Sequence, residues 1–328
     1  MAITVKDVAR EAGVSASTVS RVVNGDRRIS AATRDRVLSS MKELGYQVNN
    51  IARSLKTNKT LTVGFISPEL SNDVFMSIAK GAEDEFRKHG YNIIICNSNE
   101  SVEEEKDRIS LLCQKCVDGV IIIPATAEGA HYGQLTAAGM PVVLVDRLVE
   151  HFEADAVLVD NINGSYSAVE YLINRGNRRI GFIGGDVRLT SAEERFEGYR
   201  RALTDYCIPI EENIIRFGNY HVESGYRMMS ELMELEEPPH YVFISNYYMH
   251  IGAMKYLLEH RGQNEPAVSI AAFDNLEFSG ILGLSCVRIA QPMTEIGSRA
   301  AQILLTRIEG RQLAFPQIVR LKTSLLID

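Results

Sequence analysis

From residue 61 onward, short runs of apolar and β-branched residues alternate with segments of helical period. Strand candidates fall into two sets, the first being Thr62–Ser67, Asn92–Asn97, Gly119–Pro124, Val142–Asp146 and Ala156–Asp160, and the second Arg179–Gly184, Ile214–Phe217, Tyr241–Ser245 and Ser269–Asp274. Strands separated by helical segments favour parallel α/β sheets. The sequence therefore predicts two doubly wound parallel sheets, and Val287–Ala290 is expected to return the chain to the first of them.

Charge is distributed unevenly along the chain. Residues 1–60 contain eleven basic and five acidic side chains, a net charge of +6, whereas the whole chain carries −7 and the remainder therefore −13. A small basic region before a large acidic one is typical of a polyanion-binding module joined to a second module. No apolar run approaches the length of about 20 residues that a membrane span requires. The N-terminus lacks a signal-peptide pattern, so we expect a cytoplasmic protein with no membrane partner.

The basic region has the pattern of a helix-turn-helix motif. Apolar positions at helical spacing predict a helix over residues 4–13, a second at Ala16–Asn24 and a third from Ser30 to Leu44. Thr4, Ser15 and Ser30 are suited to cap these helices, and Gly13 is suited to end the first. The second helix of such a motif enters the major groove of DNA.

Three residues of the second helix are candidates for reading base edges. The first turn directs Ala16 and Ser17 towards the groove, and Arg21 follows one turn later. Arginine suits guanine because its fork donates to both O6 and N7. The alternative is a three-helix cap whose basic face is only solvated.

Several stretches resemble the lactose-repressor (LacI/GalR) family of bacterial transcriptional regulators. In the basic region they are ITVKDVA (3–9), AGVSASTVSRVVNG (12–25) and GYQVNNIARSLKTNKTLTVGFI (45–66). Further along they are VVLVDR (142–147), VLVDNINGSYSAVEYLINRGNRRIGFIGG (157–185), ERFEGYRRAL (194–203) and AAFDN (271–275). The resemblance covers essentially the whole chain.

The resemblance implies a fold class and domain boundaries. It implies an all-α helix-turn-helix head at residues 1–47, then a hinge helix and linker at 48–60. Residues 61–328 would form an α/β body for effector binding and dimerisation. This body would be a two-lobe, periplasmic-binding-protein-like fold with parallel doubly wound sheets. Its lobes would be residues 61–160 with 290–320, and residues 161–289 with 321–328.

The resemblance also implies a function. The protein would be a nucleoid-associated repressor that binds a near-palindromic double-stranded DNA operator as a homodimer. An apolar hinge residue of the family wedges a base step open in the minor groove. By position this wedge is Leu55, although packing of Leu55 on the body is the alternative. The expected DNA-binding residues are Ser15, Ala16, Ser17, Thr18, Arg21, Asn24, Arg53, Leu55 and Lys56.

Candidate effector-binding residues lie at predicted strand ends, where ligands bind to doubly wound sheets. Arg195 and Asp274 together can hold neighbouring hydroxyl groups of a sugar, and the family contacts its effector at these positions. Asp146 and Asn246 follow other strands, and Phe75 can stack on a ring face. The expected small-molecule effector is a sugar or sugar derivative in the cleft between the lobes.

Each effector-binding candidate also fits a purely structural role. Arg195 can pair with a nearby glutamate, and Asp274 can cap a loop. Asp146 can form an internal pair with Arg147. Phe75 can belong to the core, and Asn246 can cap a helix.

Three residues depart from the family pattern. Val48 stands where the family usually has proline, which leaves the entry to the hinge more flexible. Tyr247 and Tyr248 follow Asn246 where the family usually has aspartate, which adds aromatic surface to the cleft.

One helix is a candidate dimer interface. The resemblance places the helix at Met76–His89 there. The alternative is that its apolar face belongs to the core of the body. That face comprises Ile78, Ala79, Ala82 and Phe86.

Nothing in the sequence supports catalysis. The G-x-S-x-G, P-loop and H-E-x-x-H motifs are absent from the sequence. Cys113 and Cys116 form a lone C-x-x-C pair, so we expect buried reduced thiols, no metal and no cofactor. Three rival functions stay open: a stand-alone small-molecule-binding protein, an enzyme on the same fold, and a regulator controlled by a partner protein.

Overall fold

The computed structural model describes residues 3–23, 26, 28–46, 59–261, 268–276, 281–311 and 314–327. The chain separates into two compact units, Met1–Thr60 and Leu61–Asp328, which we call the head and the body. Each unit has its own cluster or clusters of buried apolar side chains.

The described part of the head contains the helices α1 (Val5–Glu11), α2 (Ala16–Val23) and α3 (Ala31–Glu43). At the start of α1, the Asp7 carboxylate accepts hydrogen bonds from the Thr4 backbone N–H (3.0 Å) and hydroxyl (2.6 Å). The Ser30 hydroxyl caps α3, and Gly13 follows α1 with a φ of +64°, which favours glycine. The predicted helix-turn-helix is therefore confirmed, and the three helices bury Val8, Val19 and Val37 completely.

The body contains two six-stranded sheets. In chain order their strands are β1 (Thr62–Ser67), β2 (Asn92–Asn97), β3 (Val120–Ile122), β4 (Val142–Val145), β5 (Asp155–Val159), β6 (Ile180–Gly184), β7 (Ile215–Phe217), β8 (Tyr241–Ile244), β9 (Ser269–Phe273), β10 (Ser285–Ala290), β11 (Ile318–Leu321) and β12 (Ser324–Ile327). The first sheet has the order β11-β5-β4-β3-β1-β2, and all its neighbouring strands are parallel. The second has the order β12-β10-β9-β8-β6-β7 and is parallel except for β12, which is antiparallel to β10.

Both faces of the first sheet are buried, as expected for parallel strands. Neighbouring residues such as Ile121 and Ile122 belong to different buried clusters. The covering helices of the body are α4 (Asp73–Lys88), α5 (Val102–Gln114), α6 (Gly133–Ala137), α7 (Asn161–Asn174), α8 (Thr190–Asp205), α9 (Val222–Met233), α10 (Tyr247–Glu259) and α11 (Met293–Ile308), with short 3-10 helices at Ala130–Tyr132 and Glu212–Ile214. Within the described residues, none of the helices is long and apolar enough to span a membrane.

In the part of the body that the structure describes, the chain passes three times between the two lobes. The first lobe comprises the first sheet with α4, α5, α6 and α11, and the second lobe comprises the second sheet with α7 to α10. The passages lie at residue 160, at residues 291–292 and at residues 322–323. The prediction that Val287–Ala290 returns to the first lobe is wrong, because β10 pairs with β9 and β12 inside the second sheet.

Two glycines allow α4 and α11 to pack closely. A Cβ atom at Gly81 would lie 2.2 Å from the Thr294 carbonyl oxygen, and one at Gly297 would lie 1.9 Å from that of Ile78. The expected dimer face of α4 is therefore buried within the chain, and the intradomain alternative is confirmed. Its buried members are Ile78, Ala79, Ala82 and Phe86.

The five cysteines are free thiols. Cys96 is buried, whereas Cys116 and Cys207 are exposed. The expectation of buried thiols in the C-x-x-C pair is therefore wrong for Cys116, and Cys113 is half-buried. Cys116 and Cys207 both follow helix ends with a positive φ, so they stand at turns rather than on an inward helix face.

Replacing Gly297 with alanine should destabilise the body. The added methyl group would overlap the α4 backbone, and overpacking of this kind costs about 1–3 kcal/mol. Urea denaturation followed by circular dichroism measures the loss. Gly133→Ala is the control, because Gly133 is also a helical glycine but has open space around its Cβ position. Equal stability of Gly297→Ala and Gly133→Ala would contradict this account of the packing.

Candidate functional site

In the head, α2 presents a polar face to solvent. Val19 and Val22 are buried on its inner side, whereas Ser17 and Arg21 are exposed one turn apart. The Ser15 hydroxyl accepts a hydrogen bond from the Thr18 backbone N–H (3.1 Å) and caps the helix. It also lies 2.8 Å from the Ser17 hydroxyl. This face therefore has hydroxyl and guanidinium donors that a DNA groove can accept.

The remaining DNA-binding candidates are placed as follows. Ser15 is exposed, whereas Ala16 and Thr18 are half-buried and contribute less surface. Four predicted positions lie outside the described residues, as does the hinge except residues 59–60. These four are Asn24, Arg53, Leu55 and Lys56.

In the body, Arg195 on α8 is a buried arginine that connects several elements; it is 6% exposed. Its Nε donates to the Asn161 side-chain oxygen (2.9 Å), and its Nη1 donates to the Ser245 carbonyl (2.9 Å). Its Nη2 lies 3.5 Å from an Asp146 oxygen. Its guanidinium stacks 3.8 Å from the centre of the Phe273 ring. The guanidinium thus holds the ends of β4, β8 and β9 together.

Asp146 and Asp274 stand directly after β4 and β9 in a left-handed backbone conformation, with φ of 68° and 75°. Such strain in residues other than glycine is concentrated at functional sites. Asp274 is buried and accepts a hydrogen bond from the Gln291 amide. Burial raises the pKa of Asp274, while the Arg195 charge offsets part of the effect.

Arg147, which follows Asp146, is a second buried arginine. It donates to both Glu100 carboxylate oxygens (3.1 and 3.3 Å) and to the Pro124 carbonyl (2.8 Å). Its Nε lies 3.2 Å from the Asp146 carboxylate, so the internal pair considered for these residues is confirmed. Its guanidinium also lies 5.4 Å from the centre of the Tyr220 ring, on the second lobe.

A cavity of about 270 Å³ lies between the lobes. Its described lining residues all follow the carboxyl ends of parallel strands, as ligand sites in doubly wound folds do. Two of the predicted effector residues, Phe75 and Asn246, are among them. Asp146, Arg195 and Asp274 are not. The lining side chains are Glu69, Asn72, Phe75, Asn99, Glu100, Arg147, Tyr220, His221, Asn246 and Tyr248.

Two predicted effector-binding residues line the cavity and also have the structural role that was considered as the alternative. Asn246 lines the cavity and also caps α10, because its side chain accepts a hydrogen bond from the Met249 N–H (3.1 Å). Phe75 lines the cavity and is also only 7% exposed within the core.

The two tyrosines that depart from the family pattern connect the lobes. The Tyr247 hydroxyl donates to the Asp73 carboxylate (3.0 Å). The Tyr248 hydroxyl lies within hydrogen-bond distance of the Ser71 hydroxyl (2.8 Å). Tyr247 and Tyr248 begin α10 in the second lobe, whereas Ser71 and Asp73 lie at the start of α4 in the first. The hydroxyl groups therefore join the lobes, and Tyr248 also lines the cavity.

Sequence reasoning missed several lining residues. Asn99 and Glu100 follow β2, and Tyr220 and His221 follow β7. The rule that ligands bind at the carboxyl ends of parallel strands identifies all four, once the end of each strand is fixed.

One group of residues has the composition of a cation site. Glu128, Glu150 and His151 place ligand atoms within 4.8 Å of one another, but all three are exposed. His151 already lies 3.3 Å from the Glu128 carboxylate. None of them lines the cavity, so this group does not contribute to the candidate site.

Comparison with known proteins matches both units to one family. Residues 4–49 match the family model described as "Bacterial regulatory proteins, lacI family". Residues 60–323 match "Periplasmic binding proteins and sugar binding domain of LacI family". The chain belongs to the LacI family. It thus combines the DNA-binding region and the sugar-binding-type domain of LacI-family transcriptional regulators.

Individual LacI-family proteins match nearly the full length. Catabolite control protein A from Priestia megaterium is 34% identical over 323 residues, which cover 98% of this chain and 97% of that protein. The Lac repressor dimer bound to operator and the anti-inducer ONPF has a TM-score of 0.85 and 25% identity, covering 99% of this chain and 98% of that chain. The transcriptional regulator CelR in complex with cellobiose has a TM-score of 0.73 and 28% identity, with the same coverage.

Replacing Arg195 with methionine should destabilise the body by about 1–3 kcal/mol, because the buried Ser245 carbonyl would lose its donor and Asp146 would keep only Arg147 as a counter-ion. Methionine retains much of the side-chain length, so the change tests the charge more than the packing. The free energy of unfolding, measured with urea, reports the loss. Arg200→Met on the same helix is the control, since Arg200 is 52% exposed and should cost far less. Similar losses for both variants would argue against a buried counter-ion role.

Proposed function

We propose that this protein is a cytoplasmic repressor that binds operator DNA through its head and a small sugar-like effector in the cavity of its body. The observation that carries the proposal is the cavity, because side chains from both lobes line it. A ligand that contacts both lobes favours one arrangement of the lobes over others. It can therefore change the affinity of a DNA-binding unit on the same chain.

The DNA-binding part of the proposal assigns base reading to α2. Ser17 and Arg21 are exposed on the same face, opposite the buried valines. Two heads of a homodimer would occupy the half-sites of a near-palindromic operator, since a twofold protein reads a twofold site. The Lac repressor structure similar to this chain is a dimer on its operator, which supports this arrangement.

The hinge part of the proposal assigns DNA bending to residues 48–60. Leu55 would insert between base pairs in the minor groove, with Arg53 and Lys56 beside it near the phosphates. A segment of this length is marginal as an isolated helix, so its folding would be coupled to DNA binding. Val48, in place of the usual proline, would make that coupling easier to shift.

An effector changes operator affinity only if it binds one arrangement of the protein, DNA-competent or not, more tightly than the other. If the effector binds the DNA-competent arrangement more tightly, it is a corepressor; in the opposite case it is an inducer. The bound cellobiose of the similar CelR structure supports a carbohydrate as the effector class.

Replacing Arg21 with alanine should relax the sequence preference of the head. Loss of one bidentate base contact costs about 1–3 kcal/mol on the preferred operator and much less on random DNA. Fluorescence-anisotropy titrations with both DNAs give the two affinities. Arg36→Ala is the control, because Arg36 is exposed on α3 and removes the same charge from the head. An equal loss on both DNAs would reassign Arg21 to a phosphate contact.

A ligand screen of the full chain tests the effector part. A ligand at 100 times its dissociation constant stabilises the protein by about 2.7 kcal/mol, which a thermal-shift assay detects. Each ligand found is then added to the operator titration, and its effect on operator affinity gives the sign of regulation. If the protein binds its operator but neither sugars, sugar derivatives nor nucleobases stabilise it, control by a partner protein replaces the effector proposal.

A further inference from the structure

The charges around the cavity point to a narrower class of ligand. We infer that the cavity takes a small carbohydrate that is uncharged or carries an amine, and that it rejects phosphorylated and acidic sugars. This inference rests on the proposed function of the cavity as the effector site, and it adds the charge and the size of the ligand.

Carboxylates outnumber the guanidinium groups around the cavity, even when Glu100 and Asp146 are counted as the partners of Arg147 and Arg195. Glu69 and Glu100 line it directly from the first lobe. Asp146 contacts the lining residue Arg147, and Asp73 follows the lining residue Asn72 in the chain and accepts a hydrogen bond from the Tyr247 hydroxyl. An incoming phosphate or carboxylate group would approach several negative charges in a partly desolvated space, where like charges repel strongly.

The arginines nearest the cavity are already neutralised. Arg147 is 3% exposed and forms ion pairs with Glu100 and Asp146. Arg195 contacts Asp146 and also donates to an amide oxygen and a backbone carbonyl. An anionic ligand would have to displace a protein carboxylate before either guanidinium could bind it. Among the described lining residues the remaining basic side chain is His221, which is exposed.

The other lining groups suit hydroxyl groups and a flat ring face. Asn72, Asn99 and Asn246 offer amide groups that can donate and accept, although the Asn72 and Asn246 oxygens also cap helices. Phe75 and Tyr220 offer aromatic rings, and the carboxylates accept from hydroxyl or ammonium donors. The volume of about 270 Å³ lies just below the usual range of ligand pockets, about 300–1,000 Å³. A single sugar ring fits this description better than an oligosaccharide.

Matched pairs of sugars test the inference on the full-length protein. Isothermal titration calorimetry would compare glucose, galactose, fructose and ribose, each with its monophosphate ester, and glucosamine with gluconate. We expect at least one neutral or amine-bearing sugar to bind and its anionic counterpart to bind about 100-fold more weakly or not at all. Tighter binding of any anionic member, or binding of none of the sugars, would overturn the inference.

Two variants connect the selectivity to the named carboxylates. Glu69→Gln removes a lining charge, and Glu100→Gln also releases a partner of Arg147. Each should reduce the discrimination between a bound sugar and its phosphate by about tenfold or more. Glu103→Gln is the control, because Glu103 is exposed on neighbouring α5 and does not line the cavity. Unchanged discrimination in both Glu69→Gln and Glu100→Gln would overturn the electrostatic explanation. If one of the two variants fails to fold, the other still gives the result.

Operator titrations separate this inference from the proposed function. A phosphorylated sugar that binds and changes operator affinity would overturn the inference and support the function. A neutral sugar that binds with the expected selectivity but leaves operator affinity unchanged would support the inference and contradict the proposed function.

Discussion

Two arginine side chains are buried where the lobes meet, and removing their charges from water costs several kcal/mol each unless carboxylates and carbonyls replace the solvent. Asp146 contacts both, at 3.2 Å from Arg147 and 3.5 Å from Arg195. To reach both groups, Asp146 follows its strand with a positive φ, a conformation that few residues other than glycine adopt. The positive φ of Asp146 therefore accompanies the position of its carboxylate between the two guanidinium groups.

The contacts between the lobes fall into two groups. We call the buried contacts of Arg195 the base, and the hydroxyl contacts of Tyr247 and Tyr248 the rim. At the base, Arg195 donates short hydrogen bonds to Asn161 and Ser245 of its own lobe and forms a buried ion pair with Asp146 of the first lobe. At the rim, Tyr247 and Tyr248 reach Asp73 and Ser71 through hydroxyl contacts that are partly exposed. Hydrogen bonds in contact with water contribute less net stability, so the rim is the part that a bound ligand can most readily rearrange.

Much of the fold was predictable because strand and helix periods differ clearly. The two predicted sets of strands correspond to β1–β5 and β6–β9 of the two sheets, although β11 and β12 were not predicted, and Ser30 caps its helix as expected. The role of β10 was not predictable, since a buried apolar strand fits either sheet equally well. For the candidate site, the sequence predicted only which residues follow the ends of strands. Strand ends identified Asn246 as a residue near the cavity, but nothing local to the sequence shows that Arg147 takes its partner, Glu100, from 47 residues away.

The order of the strands has a consequence for synthesis of the chain. Residues 318–321 form an edge of the first sheet and residues 324–327 an edge of the second, so each lobe is completed by a strand that follows all its other strands in the chain. The head, by contrast, precedes the body in the chain and has a core of its own. Domains made first generally fold first during synthesis. A nascent chain would therefore carry a folded DNA-binding head well before its regulatory body is complete.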